Sequence, residues 1–140
     1  MKNENLKMKS LNPKQDAQLT TKGRTLDLSE RLLDFAVETI KATYLFPKSQ
    51  VSSHIVGQVI RSVSSVGANY EEACSAQSRA DFIHKLQIAL KEIRETVYWI
   101  KLATRLELSE KEGWKRIVQE GNELLLILAK SVATSKGVAK

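Results

Sequence analysis

Asp81 and His84 stand three residues apart, the chain's nearest approach to the acid-x-x-histidine pairs that build dimetal carboxylate centres inside helical bundles. Such a centre needs two glutamate-x-x-histidine pairs and further glutamates from the other helices. This chain offers one aspartate-based pair, whose histidine projects away from the apolar stripe of Phe82, Leu86 and Ala89. His84 therefore reads as solvated, and His54, near a helix start, has no matching partner motif. Cys74 is the single cysteine; it lies beside a predicted turn with no histidine near it in sequence, so it reads as an inert thiol and not as a nucleophile. Neither a glycine-rich phosphate loop nor a hydrolase serine elbow occurs. The expectation is a non-enzymatic protein with no catalytic residue, no metal site and no cofactor.

What remains is the chemistry of charge. The net charge of +6 and pI near 9.5 point toward polyanions, so the placement of the charge matters more than its sum. Lys2, Lys7, Lys9, Lys14, Lys22 and Arg24, set against Glu4 and Asp16, give residues 1 to 24 a charge of +4. Lys130, Lys136 and Lys140 add +3 at the other end, which leaves −1 for residues 25 to 129. The ends read as flexible solubilising tails or as nucleic-acid arms. Within the body, Arg61, Arg79, Lys85, Lys101 and Arg105 are the candidates for neutralising phosphates. Asp81 with Lys85, Lys91 with Glu95, Glu107 with Lys111 and Glu112 with Arg116 each stand four apart, so pairing across helical turns competes with that role. No recognition-helix, zinc-finger or stacking-strand motif points to base-specific readout.

These residues have to be carried by helices. Only Pro13, Pro47 and six glycines interrupt the chain, and alternating β-branched runs are missing, so the fold class is all-α. Asp27 with Glu30 approximates a capping box ahead of Leu32, Leu33, Phe35, Ala36, Val37 and Ile40. Tyr44 to Lys48, around Pro47, reads as a turn. A second helix from about Ser52 puts Ile55, Val59, Val63, Val66 and Tyr70 on a core face. Its opposite face carries Gly57, Arg61, Ser64, Ala68 and Glu71, which reads either as a close-approach surface for another helix or subunit or as a solvated one. Ser78 and Asp81 cap a third helix that buries Phe82, Leu86, Ala89, Ile93, Val97 and Ile100 and ends near Arg105. Ser109 and Glu112 open a fourth, with Trp114, Ile117, Gly121, Leu124, Leu125 and Leu128 in register.

Four helices with short connections predict an antiparallel up-and-down four-helix bundle over residues 25–131, between a basic N-terminal tail (1–24) and a C-terminal tail (132–140). A second apolar patch, Ile88, Tyr98, Trp99 and Leu102, projects from the far side of the third helix and reads as a homo-oligomer interface, with a place at the core margin as the alternative for Trp99. No apolar run approaches the roughly 20 residues of a membrane span and MKNENLKMKS has no signal-peptide core, so a cytoplasmic protein is expected.

With the helices placed, a family pattern is recognisable. Ser65, Val66, Gly67, Ala68, Asn69, Tyr70, Glu71 and Glu72, followed by Ser78, Asp81, Phe82, Leu86, Ile88, Ala89 and Glu95, resemble the signature of the bacterial four-helix-bundle family. That family includes the 23S rRNA intervening-sequence proteins and the accessory protein of diversity-generating retroelements. The similarity spans about Leu26 to Ala129; Ala73 and Lys91 depart from it, where many members have glycine and a small residue. The resemblance implies an up-and-down bundle assembled in rings of five. For the retroelement protein it implies a basic surface that binds RNA or DNA and a partner reverse transcriptase. The expected function is an oligomeric scaffold that binds nucleic acid or a ribonucleoprotein through sequence-independent electrostatic contacts, which many tails acting together would strengthen; the alternative is a protein-interaction module without nucleic acid.

Overall fold

The computed structural model describes residues 19–21, 24–109 and 111–137. Most of the expected N-terminal tail, with Lys2, Lys7, Lys9, Lys14 and Lys22, and the last three residues lie outside that set. The described chain opens with two three-residue strands, β1 (Leu19–Thr21) and β2 (Arg24–Leu26), paired antiparallel with Leu19 opposite Leu26. Four helices follow: α1 (Leu28–Thr43), α2 (Gln50–Cys74), α3 (Arg79–Arg105) and α4 (Lys111–Ser135). The last runs four residues past the boundary expected at 131.

Each start is chemically marked. Asp27 Oδ1 accepts from the Glu30 amide at 3.0 Å, and Ser78 Oγ accepts from the Asp81 amide at 3.0 Å, as the capping patterns predict. α2 begins two residues earlier than the sequence suggested, because Ser49 is its cap and takes the Ser52 amide at 3.0 Å. α3 ends on the carbonyl-capping pattern of a left-handed residue. Leu108 N–H donates to the Ala103 carbonyl and Glu107 N–H to the Thr104 carbonyl, with Glu107 at φ 58° where glycine is usual.

The helices neighbour one another in chain order. α2 and α3, the two that pair along most of their length, share the largest interface, and α1 closes the square by touching both α2 and α4. Leu32, Phe35, Ile55, Val59, Val63, Val66, Tyr70, Phe82, Leu86, Ile93, Ile100, Trp114, Leu124 and Leu128 are all buried in one core. Gly121 is the point of closest approach for α4. A Cβ there would come within 3.0 Å of Val97 Cγ2 and 3.2 Å of Phe35 Cζ, so the small residue lets three helices converge. Phe46 in the α1–α2 turn is buried and packs its ring on Trp114 at 5.4 Å, which ties that turn to the start of α4.

α1 departs from a simple apolar pattern. Leu33 and Val37 are exposed, while Arg31 and Thr39 occupy core positions. The Arg31 side chain, 3% exposed, reaches α4. Its Nε donates to Glu120 at 2.7 Å, and Nη2 donates to Glu120 at 2.9 Å and to Glu123 at 2.8 Å.

Candidate nucleic-acid interface

Three of the five cations singled out in the sequence are committed to the bundle itself. Arg61 on α2 reaches across to α3, donating to Glu92 at 3.3 Å and, by a closer contact, to Glu95. Lys85 on α3 meets Glu72 on α2 at 2.7 Å. Arg79 Nη2 donates to the Ser135 carbonyl at 2.8 Å, where the first turn of α3 lies beside the last turn of α4, and so satisfies a carbonyl that the ending helix leaves open. The turn-spanning pairs Asp81–Lys85 and Lys91–Glu95 give way to these cross-helix ones. Arg116 likewise approaches Glu38 on α1, at 3.9 Å.

The electrostatics of the α2–α3 seam follow. Trp99 Nε1 donates to Glu95 at 3.0 Å, and this bond, then the Arg61 guanidinium, holds the Glu95 carboxyl below the usual carboxylate range. Glu95 in turn raises the Arg61 pKa, and Glu72 raises that of Lys85. Beneath the ions, Thr96 Oγ1 donates to Ser62 Oγ at 2.9 Å and Ser62 Oγ donates to the Gln58 carbonyl at 2.8 Å, a buried link between the same two helices.

Lys101 and Arg105 are different. Both are exposed and neither closes an ion pair among the described residues. They belong to a stripe that the sequence reading did not isolate: His84, Gln87, Lys91, Arg94, Tyr98, Lys101 and Arg105 recur at alternating intervals of three and four, and every one is exposed. That spacing fixes them on the outward face of α3. The stripe holds four cations, a histidine and an aromatic ring, with no carboxylate. Lys91 lies near enough to Glu95 to favour its ionised form without closing an ion pair, and Arg94 is unpaired among the described residues. From Lys91 to Arg105 the stripe runs about 21 Å at 1.5 Å per residue. The signal was present in the sequence as a second 3–4 repeat, out of phase with the core repeat of Phe82, Leu86, Ala89 and Ile93.

The proposed interface residues divide. Trp99 and Leu102 are half-buried against the core, Ile88 is half-buried nearly four turns before Leu102, and Tyr98 is 59% exposed with its ring edge-on to Trp99 at 5.3 Å. His54 lies edge-on to the same indole at 5.7 Å. Cys74 is half-buried, and burial pushes its thiol pKa up. Among the described residues, no three His, Cys, Asp or Glu side chains gather where they could hold a metal ion, and no helix is long and apolar enough to cross a membrane.

Residues 24–130 match the model of a family described as the 23S rRNA-intervening sequence protein. Among solved structures, the chain is similar to a protein of unknown function from the S23 ribosomal protein family of Bacteroides thetaiotaomicron. The two are 38% identical over 75% of this chain and 97% of that one, with a TM-score of 0.69. No curated protein matches the chain.

Proposed function

The chain belongs to the 23S rRNA-intervening sequence protein family, and from that premise we propose that it is a non-enzymatic, self-assembling scaffold that binds nucleic acid through sequence-independent contacts to the phosphate backbone. The observation that carries this reading is the outward face of α3, where Lys91, Arg94, Lys101 and Arg105 stand unpaired among the described residues with no carboxylate in line. Cations already held by carboxylates release no counterions when a phosphate arrives; unpaired ones do, and that release drives association. Tyr98, exposed in the middle of the stripe, offers a ring on which an unpaired base can stack without regard to sequence. The sequence carries no recognition-helix, zinc-finger or stacking-strand motif, so the reading rests on backbone contacts and not on base-edge readout.

A fluorescently labelled single-stranded RNA of mixed sequence tests the reading. Four phosphate contacts predict that log K falls with log salt at a slope of about −3, and that scrambling the RNA leaves affinity unchanged. A slope near zero, or affinity that follows sequence, contradicts it. The alternative, a protein-interaction module without nucleic acid, is favoured by the apolar surfaces that the bundle leaves open. It predicts no RNA binding at any salt.

A further inference from the structure

The basic stripe of α3 has an apolar neighbour. Tyr98, Lys101 and Arg105 each stand one residue before Trp99, Leu102 and Leu106, so the two sets run side by side, about 100° apart around the same helix. Trp99, Leu102 and Leu106 form one wall of a trough of about 390 Å³ on the outside of the α2–α3 seam, and Val51, His54 and Ile55 on α2 form the other. That volume lies at the lower end of the roughly 300–1,000 Å³ typical of ligand sites. Val51 and Leu106, 54% and 47% exposed, leave the trough open to solvent.

The His54 ring lies edge-on to the Trp99 indole from the opposite wall, with centroids 5.7 Å apart. The indole is held in place, because its Nε1 donates to Glu95 at 3.0 Å and Tyr98 packs edge-on to it at 5.3 Å. A ring already fixed loses little freedom when a ligand arrives. No lysine, arginine or carboxylate lines the trough. Lys101 and Arg105 stand beside its α3 wall and Lys48 stands two residues ahead of α2, all exposed and unpaired among the described residues. The exposed acids Glu107 and Glu112 at this end of the bundle are outnumbered by Lys41, Lys48, Lys101, Arg105 and Lys115, with Glu38 and Arg116 set against each other at 3.9 Å. The first turn of α2 carries no acid, and Glu95 is committed to Trp99 and Arg61. An aromatic slot edged by free cations suits a ligand with a flat ring joined to an anion.

We propose that the trough receives an unpaired base of a single strand whose phosphates lie on Lys101 and Arg105. These two cations are one turn apart, about 6 Å along the axis, close to the reach between successive phosphates of an extended strand. A base leaving the backbone there turns around the helix by the one-residue offset and meets Trp99. The inference rests on the nucleic-acid reading above and names its ligand class: single-stranded RNA or DNA. A duplex can set its phosphates on the stripe, but its stacked and paired bases do not reach the trough. Because the walls are mostly apolar, the base is held by its ring faces and its identity is not selected.

Three probes of equal length separate base from phosphate: a mixed-sequence single-stranded DNA, the same strand made abasic at every residue, and the duplex. The full chain is expected to bind the single strand roughly tenfold more tightly than the abasic one. Only the single strand should quench tryptophan emission. Trp114 is fully buried against Phe46, so the response reports Trp99. This comparison needs no variant. Trp99→Leu, with its helices checked by circular dichroism, should remove both the preference and the quenching while leaving abasic binding unchanged. Tyr98→Leu should keep the quenching, which separates the trough from stacking on the stripe. Salt-dependent binding that is equal for the single and abasic strands, with no quenching, overturns the proposal and leaves the phosphate reading standing. Absence of binding by all three probes overturns both. Quenching by the duplex also counts against the trough. Emission that follows protein concentration instead of added strand would give the trough to another copy and overturn the proposal.

Discussion

Arg31 shares the buried face of α1 with Leu28, Leu32 and Phe35, and its charge is tolerated there because Glu120 and Glu123 reach it from α4. Removing one partner of a buried pair costs more than the pair contributes, since a desolvated charge is left behind. Here the remaining carboxylates are partly exposed and can rehydrate, which tempers the loss. Arg31→Ala is therefore expected to cost about 2–4 kcal/mol in urea unfolding, and Arg31→Met distinctly less, because an unbranched apolar side chain fills the space without a charge to satisfy. Equal losses for the two would show that the ion pair, which both remove, sets the cost and that the filled space adds nothing. Glu95 makes a second prediction at this scale. Its folded pKa lies below its unfolded one, so the stabilisation it contributes is present above the ordinary carboxylate range and is lost as pH falls through the folded value. Acidification below that range should release the Trp99 indole and shift its emission, and Glu95→Gln should abolish that step. A step that persists in the variant would assign it to another group. Neither site was legible from sequence. An arginine beside three apolar residues signals burial only when a partner helix supplies acids, and the Glu95 contacts depend on the register of α2 against α3.

At the scale of elements, the helices were readable because their signals are local. Asp27 and Ser78 are caps whose side chains bond three residues on, and the 3–4 repeats from Ile55 to Tyr70 and from Phe82 to Ile100 are buried as expected. α1 is less legible, since exposed Leu33 and Val37 look like core to any reading that equates apolar with buried, and that equation holds in one direction only. The partners of Lys85 and Glu95 were hidden for a related reason. Turn-spanning partners are visible in sequence, whereas Glu72 and Arg61 reach Lys85 and Glu95 across a helix interface that sequence does not show. The α3–α4 turn carries the testable strain. Glu107 sits at φ 58°, a conformation that costs a residue with a Cβ roughly 1 kcal/mol and glycine almost nothing. Glu107→Gly is thus expected to raise stability by about 0.5–1 kcal/mol despite its added chain entropy, read as a higher melting temperature. A lower one would mean that the Glu107 side chain contributes more than its backbone strains.

For the whole molecule, the cations of α2 and α3 fall into two sets with different work. Arg61, Arg79 and Lys85 tie helices together; Lys91, Arg94, Lys101 and Arg105 face outward without partners among the described residues. Net charge alone could not make this division, because the body of the chain is nearly neutral, while four of its cations share one face of α3 that carries no carboxylate. The most direct test compares two full-chain variants in a salt titration of RNA binding: a stripe variant with Lys91, Arg94 and Lys101 changed to glutamine, and a seam variant with Arg61 and Lys85 changed to glutamine. The stripe variant should stay as stable as the wild type, bind weakly and lose most of the salt slope. The seam variant should bind like the wild type and lose little stability, because exposed ion pairs are screened by solvent. Undiminished RNA binding by the stripe variant, or loss of binding confined to the seam variant, would contradict the account.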